Sequence, residues 1–158
     1  MRLRIRDKYD KYFLVLFVIS VVLRLLWLDV PSGYGRKGLL IFDEYFYVNA
    51  ARAILGWPQG PDPSSIPFPG AVAGVDPNPG HPPVAKLLIA GSMLLFGDNA
   101  WGWRIPSVVM GSLSIVLFYL LMKRMAKNGK FALFATFLFS FDCLIFIDSR
   151  VAILDIFT

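Results

Sequence analysis

Three long apolar runs alternate with polar stretches along the chain: Phe13 to Leu28, Ile105 to Met122 and Phe131 to Ile147. Each approaches the ~20 residues that a membrane-crossing helix needs. The first reaches only about 24 Å at about 1.5 Å per residue, against a hydrocarbon core of ~30 Å, so it is expected to borrow Tyr12 and Asp29-Val30 at its ends. Two shorter segments lie between the first run and the second. From Glu44 to Leu55 apolar residues recur at helical spacing, with Phe46, Ala50, Ala53 and Ile54 on one side and Tyr45, Asn49 and Arg52 on another, and Gly56 is placed as a stop. Val84 to Gly97 is apolar but only about fourteen residues long, a length more typical of buried or interfacial helices than of spans. Trp57 to Pro83 holds nine of the eleven prolines (58, 61, 63, 67, 69, 77, 79, 82 and 83) and reads as an irregular loop.

Charge turns these segments into a topology. The first eleven residues carry Arg2, Arg4, Arg6, Lys8 and Lys11 against Asp7 and Asp10, and the second long run ends in Lys123, Arg124, Lys127 and Lys130. If both basic runs lie inside, an even number of crossings separates them. The resulting expectation is an all-α polytopic membrane protein with residues 1–11 cytoplasmic, spans at 12–30, 104–122 and 131–147, a cytoplasmic turn at 123–130, and 148–158 outside. Residues 31–103 form an outer loop carrying two membrane-surface helices, 44–55 and 84–97. No small-x-small cleavage site follows the first run, so it reads as a signal anchor. Arg24 is expected to snorkel to the interface or touch an anionic headgroup, and Asp142, inside the third run, to face other helices.

Composition agrees: 56% of residues are apolar and 15% aromatic, with a mean hydropathy of +0.60. The net charge of +5 sits in short runs beside apolar segments, which argues against nucleic acid as a partner. The single cysteine, Cys143, excludes an internal disulfide and reads as a small buried hydrophobe.

The topology gathers Asp43, Glu44, His81, Lys86, Arg104, Arg150 and Asp155 on one membrane face. Each also has a plain structural reading. Asp43-Glu44 before a helix suits capping, and His81-Pro82-Pro83 suits a helix start. Arg104 suits an interface anchor, and Arg150 with Asp155 suits a pair. Lys86 fits less well, because a cation in a first helical turn opposes the dipole and calls for an anionic partner. Transfer from a lipid phosphate would use such a set: cations for the departing phosphate and a carboxylate to take a hydroxyl proton. A divalent metal on Asp43 and Glu44 is conceivable, but adjacent carboxylates alone are poor evidence for one, and no cofactor is required.

The ordered set of Asp43-Glu44 with an aromatic-rich helix, Asp76-Pro77-Asn78, His81-Pro82-Pro83-Val84-Ala85-Lys86, Trp103-Arg104-Ile105-Pro106-Ser107 and Ser149-Arg150-Val151-Ala152-Ile153-Leu154-Asp155 resembles the protein O-mannosyltransferase family. More broadly it is similar to the prokaryotic phospholipid-carrier-dependent glycosyltransferases of the GT-C fold. The resemblance implies a multi-pass enzyme of the plasma membrane, active on the outer face. It would take a sugar, typically mannose, from a polyprenyl or dolichyl phosphate carrier and place it on a protein serine or threonine with inversion. It also implies that Asp43 is the base and Glu44 either a residue that positions the acceptor or an essential neighbour. Arg104 would hold the site near the phosphate, and His81 and Lys86 would line the donor side; Arg150 and Asp155 match a motif of unassigned role. Family members have more spans, so the chain reads as an N-terminal piece expected to be inactive alone. A histidine of many relatives is Phe46 or Tyr47 here, which leaves open a lipid or glycan acceptor, as in aminoarabinose or arabinose transferases. A non-enzymatic three-span protein is the reading from another class.

Overall fold

The structure, a computed structural model, describes residues 8–30, 40–59 and 67–157. The arginines at positions 2, 4 and 6 and the glycine-rich link at 32–38 lie outside the described residues. Six α-helices follow in order: α1 (Lys8–Leu25), α2 (Glu44–Leu55), α3 (Pro83–Phe96), α4 (Ala100–Ala126), α5 (Gly129–Ser140) and α6 (Cys143–Asp148), then a 3-10 turn, Asp155–Phe157. No strand occurs among the described residues.

Side-chain contacts give the directions of the long helices. Asp10, near the start of α1, pairs with Lys123 and accepts from the Tyr119 hydroxyl at 2.8 Å near the end of α4. At the opposite end, Arg104 in the first turns of α4 donates to the Leu28 carbonyl just beyond α1. The two helices are therefore antiparallel. Ser20 and Arg24 near the end of α1 bond Ser140 at the end of α5, at 2.6 and 2.9 Å, while α5 starts just after the end of α4 that meets the start of α1, so α5 runs parallel to α1. Both basic runs, as far as they are described, consequently sit at one end and the Asp43-Glu44 pair at the other, as the charge pattern requires.

Two glycines set how closely elements approach. A Cβ on Gly102 would lie 2.0 Å from the Gly97 carbonyl oxygen, so the α3–α4 turn closes only without a side chain there. A Cβ on Gly111 would lie 2.3 Å from that of Ser149, which brings the turn after α6 hard against α4. Asn99 caps α4, its side-chain oxygen accepting from the Trp101 and Gly102 amides.

Helix α4, with 27 residues and roughly 40 Å of length, is long and apolar enough to cross a membrane. The third apolar run departs from expectation. It is not one helix, because Asp142 ends α5 and caps α6, accepting from the Leu144 and Ile145 amides at 3.0 and 3.2 Å. An aspartate competes with continued helix by bonding nearby amides, and here it is exposed rather than turned toward other helices. Cys143 beside it is exposed, not buried.

Helix α2 packs into the protein along most of its length. Eight of its twelve residues are buried, Asn49 and Arg52 among them, while Phe46 is exposed. Tyr47, Val48 and Ala51 pack with Ala85, Ile89 and Met93 of α3, with Ala100 and Trp103 of α4, and with Ala152 and Leu154. Arg24 does not snorkel. It is fully buried, donating to the Ser149 hydroxyl at 2.7 Å, to the Ser140 carbonyl at 2.9 Å and to Ser20, with its guanidinium 4.9 Å from the Phe146 ring centre. The hydroxyls and the free carbonyl at the end of α5 give this cation the polar partners that lipid would not.

Candidate active site at the α2 N-terminus

The turn that starts α2 separates two carboxylates adjacent in sequence. The Glu44 amide bonds back to the Ile41 carbonyl at 3.0 Å, and Phe42 adopts the left-handed region at φ 46°, a conformation that costs a non-glycine residue about 1 kcal/mol or more. Glu44 is thereby carried into the protein while Asp43 stays exposed.

Glu44 is fully engaged. Oε1 accepts from Arg104 Nε at 2.7 Å and from the Ala152 amide at 2.7 Å, and Oε2 accepts from Arg104 Nη2 at 2.7 Å and from the Ile41 amide at 3.0 Å. Both partners of this two-pronged ion pair are completely buried. Arg104 Nη1 also donates to the Leu28 carbonyl at 2.7 Å. One pair thus ties together α2, α4, the end of α1 and the segment after α6.

Asp43 is the opposite case. It stands at the cap position of α2 but makes no capping bond, and its carboxylate has no hydrogen bond or ion pair among the described residues. Because the two carboxylates face opposite ways, they do not converge on one cation, and no group of three or more metal-ligating side chains occurs among the described residues. One turn along α2 from Asp43, Tyr47 packs its ring edge-to-face with His81 at 5.5 Å. Burial first, and then the charges of Asp43 and Asp155, push the Tyr47 phenol above its ordinary value. The buried Tyr47 ring thus lies against His81 and within electrostatic reach of the exposed Asp43 and Asp155.

Lys86 and Arg150 hold structure. Lys86 is fully buried in the first turn of α3; it pairs with Asp76 and donates to the carbonyls of Asn78 at 2.5 Å and His81 at 3.0 Å. Its three N–H donors thereby fix the 76–81 loop, and Asp76 is the anionic partner that its position asks for. Arg150 Nη2 donates to the carbonyls of Leu26, Trp27 and Val30 at 2.7, 3.0 and 3.3 Å, holding the chain just past the end of α1 and complementing the negative end of its dipole. Burial first, and then nearby Arg104, lowers the Arg150 pKa from its ordinary value. Its Nε is buried without a partner.

A further polar knot was not legible in the sequence. Arg52 grips Asp98 through Nε and Nη2, each at 2.9 Å, and Trp103 Nε1 donates to the same carboxylate at 2.6 Å. Arg52 also bonds Asn49 at 2.8 Å and lies over the Trp103 ring. The spacing of Asn49 and Arg52 hinted at one helical face, but nothing local pointed to Asp98.

Comparison with known proteins follows the same path. Residues 80–158 match the family profile described as dolichyl-phosphate-mannose-protein mannosyltransferase. The chain is 31% identical over 148 residues to the polyprenol-phosphate-mannose–protein mannosyltransferase of Mycolicibacterium smegmatis, covering 90% of this chain and 25% of that protein. Proteins of the same name from Mycobacterium tuberculosis and Corynebacterium glutamicum are 35% and 30% identical over 143 and 156 residues. These alignments cover 87% and 95% of this chain, and 24% and 28% of the relatives. The chain thus spans about a quarter of the length of the curated relatives it matches. No solved structure matches it significantly.

Proposed function

Given that this chain belongs to the dolichyl-phosphate-mannose-protein mannosyltransferase family, we propose that it forms part of a multi-pass membrane enzyme. That enzyme transfers mannose from a polyprenyl phosphate to protein serine or threonine hydroxyls on the outer face. The single observation that supports the base assignment is the split of the adjacent carboxylates. Asp43 is exposed with open acceptor oxygens, whereas Glu44 is buried and saturated by Arg104 and two backbone amides.

In this reading the acceptor oxygen attacks the anomeric carbon of mannose while the bond from that carbon to the carrier phosphate breaks. The phosphate leaves with the electron pair, and Asp43 takes the hydroxyl proton. A single displacement inverts the anomeric centre and needs one carboxylate, not two. Glu44 and Arg104 act as positioning residues, since their bonds fix the turn that presents Asp43. Lys86 positions His81 by holding its carbonyl, and Arg150 fixes the end of α1 beneath the site. Asp155 and His81 flank the place where donor and acceptor meet.

The membrane arrangement in this proposal has α1, α4 and the α5–α6 pair crossing at 12–30, 104–122 and 131–147. The antiparallel α1 and α4, with basic residues gathered at one end, support it. The test uses membranes carrying the longest form of the protein, polyprenyl-phosphate-linked radiolabelled mannose and a serine/threonine-rich peptide. Wild type is expected to label the peptide, and Asp43→Asn at matched abundance to lose at least about a hundredfold of that activity. Equal labelling by both would remove Asp43 as the base. Transfer to lipid or glycan with none to peptide would overturn the protein acceptor.

A further inference from the structure

At the end of the bundle remote from Asp43, α1 and α5 leave an apolar groove of about 470 Å³ between them. Val15, Leu16 and Ile19 line one wall and Leu133, Phe134 and Phe137 the other, and Tyr12 and Lys130 complete the lining at the ends of these two rows. Lys130 is exposed and has no ion pair or hydrogen bond from its side chain among the described residues. Lys8, Lys11, Arg124 and Lys127 are exposed at the same end, while Lys123 is matched by Asp10, the one acidic residue described there.

A plain solvated rim explains the charges but not the groove, and plain lipid exposure explains the groove but not an unmatched lysine at its end. We propose that this groove is a seat for one anionic glycerophospholipid of the inner leaflet. An acyl chain lies between α1 and α5, and the headgroup phosphate is held by Lys130, with the Tyr12 hydroxyl at the same rim. Basic pockets between transmembrane helices on the cytoplasmic side bind acidic headgroups, and a Lys or Arg placed against the headgroup strengthens that attraction about fivefold. The headgroup charge offsets the basic end, and the acyl chain fills a gap that neither helix closes. This inference rests on the orientation proposed above, in which the basic end faces inward.

The test reconstitutes the protein in nanodiscs of phosphatidylcholine and phosphatidylglycerol at four to one, and counts the lipids retained on release by native mass spectrometry. Wild type is expected to retain phosphatidylglycerol well above its share. Lys130→Gln should lower that retention about fivefold. Leu133→Trp, which fills the groove without changing charge, should abolish it, and Arg124→Ala, outside the groove, should leave it within about twofold. No preference for phosphatidylglycerol in wild type would overturn the proposal. So would equal losses in Lys130→Gln and Arg124→Ala, which would mean a diffuse surface attraction. A thiol placed at Leu133 in a Cys143→Ser background that stays unreactive in lipid-free detergent would show another protein segment covering the groove, and would overturn it too. If Leu133→Trp fails to fold, the contrast between Lys130→Gln and Arg124→Ala decides. Labelling of Lys130→Cys in that background from the outer side would reject the orientation. Labelling from the inner side without lipid retention would reject only the lipid seat.

Discussion

Each end of the α1–α4 pair is closed by an ion pair, but the two pairs are built differently. Glu44 and Arg104 are wholly buried, joined by two hydrogen bonds, and saturated by amides and a carbonyl from three other segments. Asp10 and Lys123 keep 15% and 33% of their side-chain surface exposed, with the Tyr119 hydroxyl donating to Asp10 and its ring beside Lys123. The buried pair fixes one geometry, because any departure strands a charge away from water. The exposed pair can break and rehydrate at little cost. Rigidity is thus concentrated beside Asp43, at the end where a reaction would need it.

Removing one partner of the buried pair should have the largest effect. Glu44→Ala leaves the Arg104 guanidinium uncompensated and is expected to lower stability by about 3–5 kcal/mol, read as loss of detergent-resistant folded protein on a thermal ramp. Lys86→Met should cost somewhat less, about 2–3 kcal/mol, because the carbonyls of Asn78 and His81 lose a charged donor while Asp76 can still reach water. It should also loosen the 76–81 loop, visible as faster amide exchange there. Asp10→Asn should cost no more than about 1 kcal/mol, and the wild-type advantage should shrink as salt is raised. A comparable loss at both ends would break the contrast between them.

The smallest expected effect concerns Tyr47. Its raised pKa means that the folded phenol keeps its proton at a pH where the unfolded one has lost it. Stability from this group is therefore present below pH ~10 and lost as pH rises through the raised value. Asp43→Asn should bring the Tyr47 phenol partway back toward its ordinary value in an ultraviolet titration, leaving the larger contribution from burial. No change would place Asp43 out of reach of the Tyr47 phenol.

Much of this architecture could be read from spacing. Helix α2 starts and stops where Glu44 and Gly56 place it, and Gly56 closes it in the left-handed region at φ 71°. Helix α3 begins at Pro83, as the His81-Pro82-Pro83 start suggests. Asp142 misled because an aspartate in an apolar run can face a neighbouring helix or end its own helix, and only backbone geometry decides between these. Arg24 misled because its partners, Ser20, Ser140 and Ser149, lie up to 125 residues away and look unremarkable in sequence. For Asp43-Glu44 the sequence offers both capping and chemistry. The turn at Phe42, with its positive φ, assigns the two carboxylates to different surroundings, and no local pattern encodes that.

The most direct test compares Asp43→Asn with Glu44→Gln in the same membranes, measuring both the folded fraction and mannose transfer per folded molecule. Asp43→Asn is expected to leave the folded fraction unchanged while transfer per molecule falls at least about a hundredfold. Glu44→Gln should lower the folded fraction, with the molecules that do fold retaining most of their transfer. The reverse pattern, a stable but inactive Glu44→Gln beside an active Asp43→Asn, would make the buried carboxylate the reacting one and contradict the division of roles between the pair.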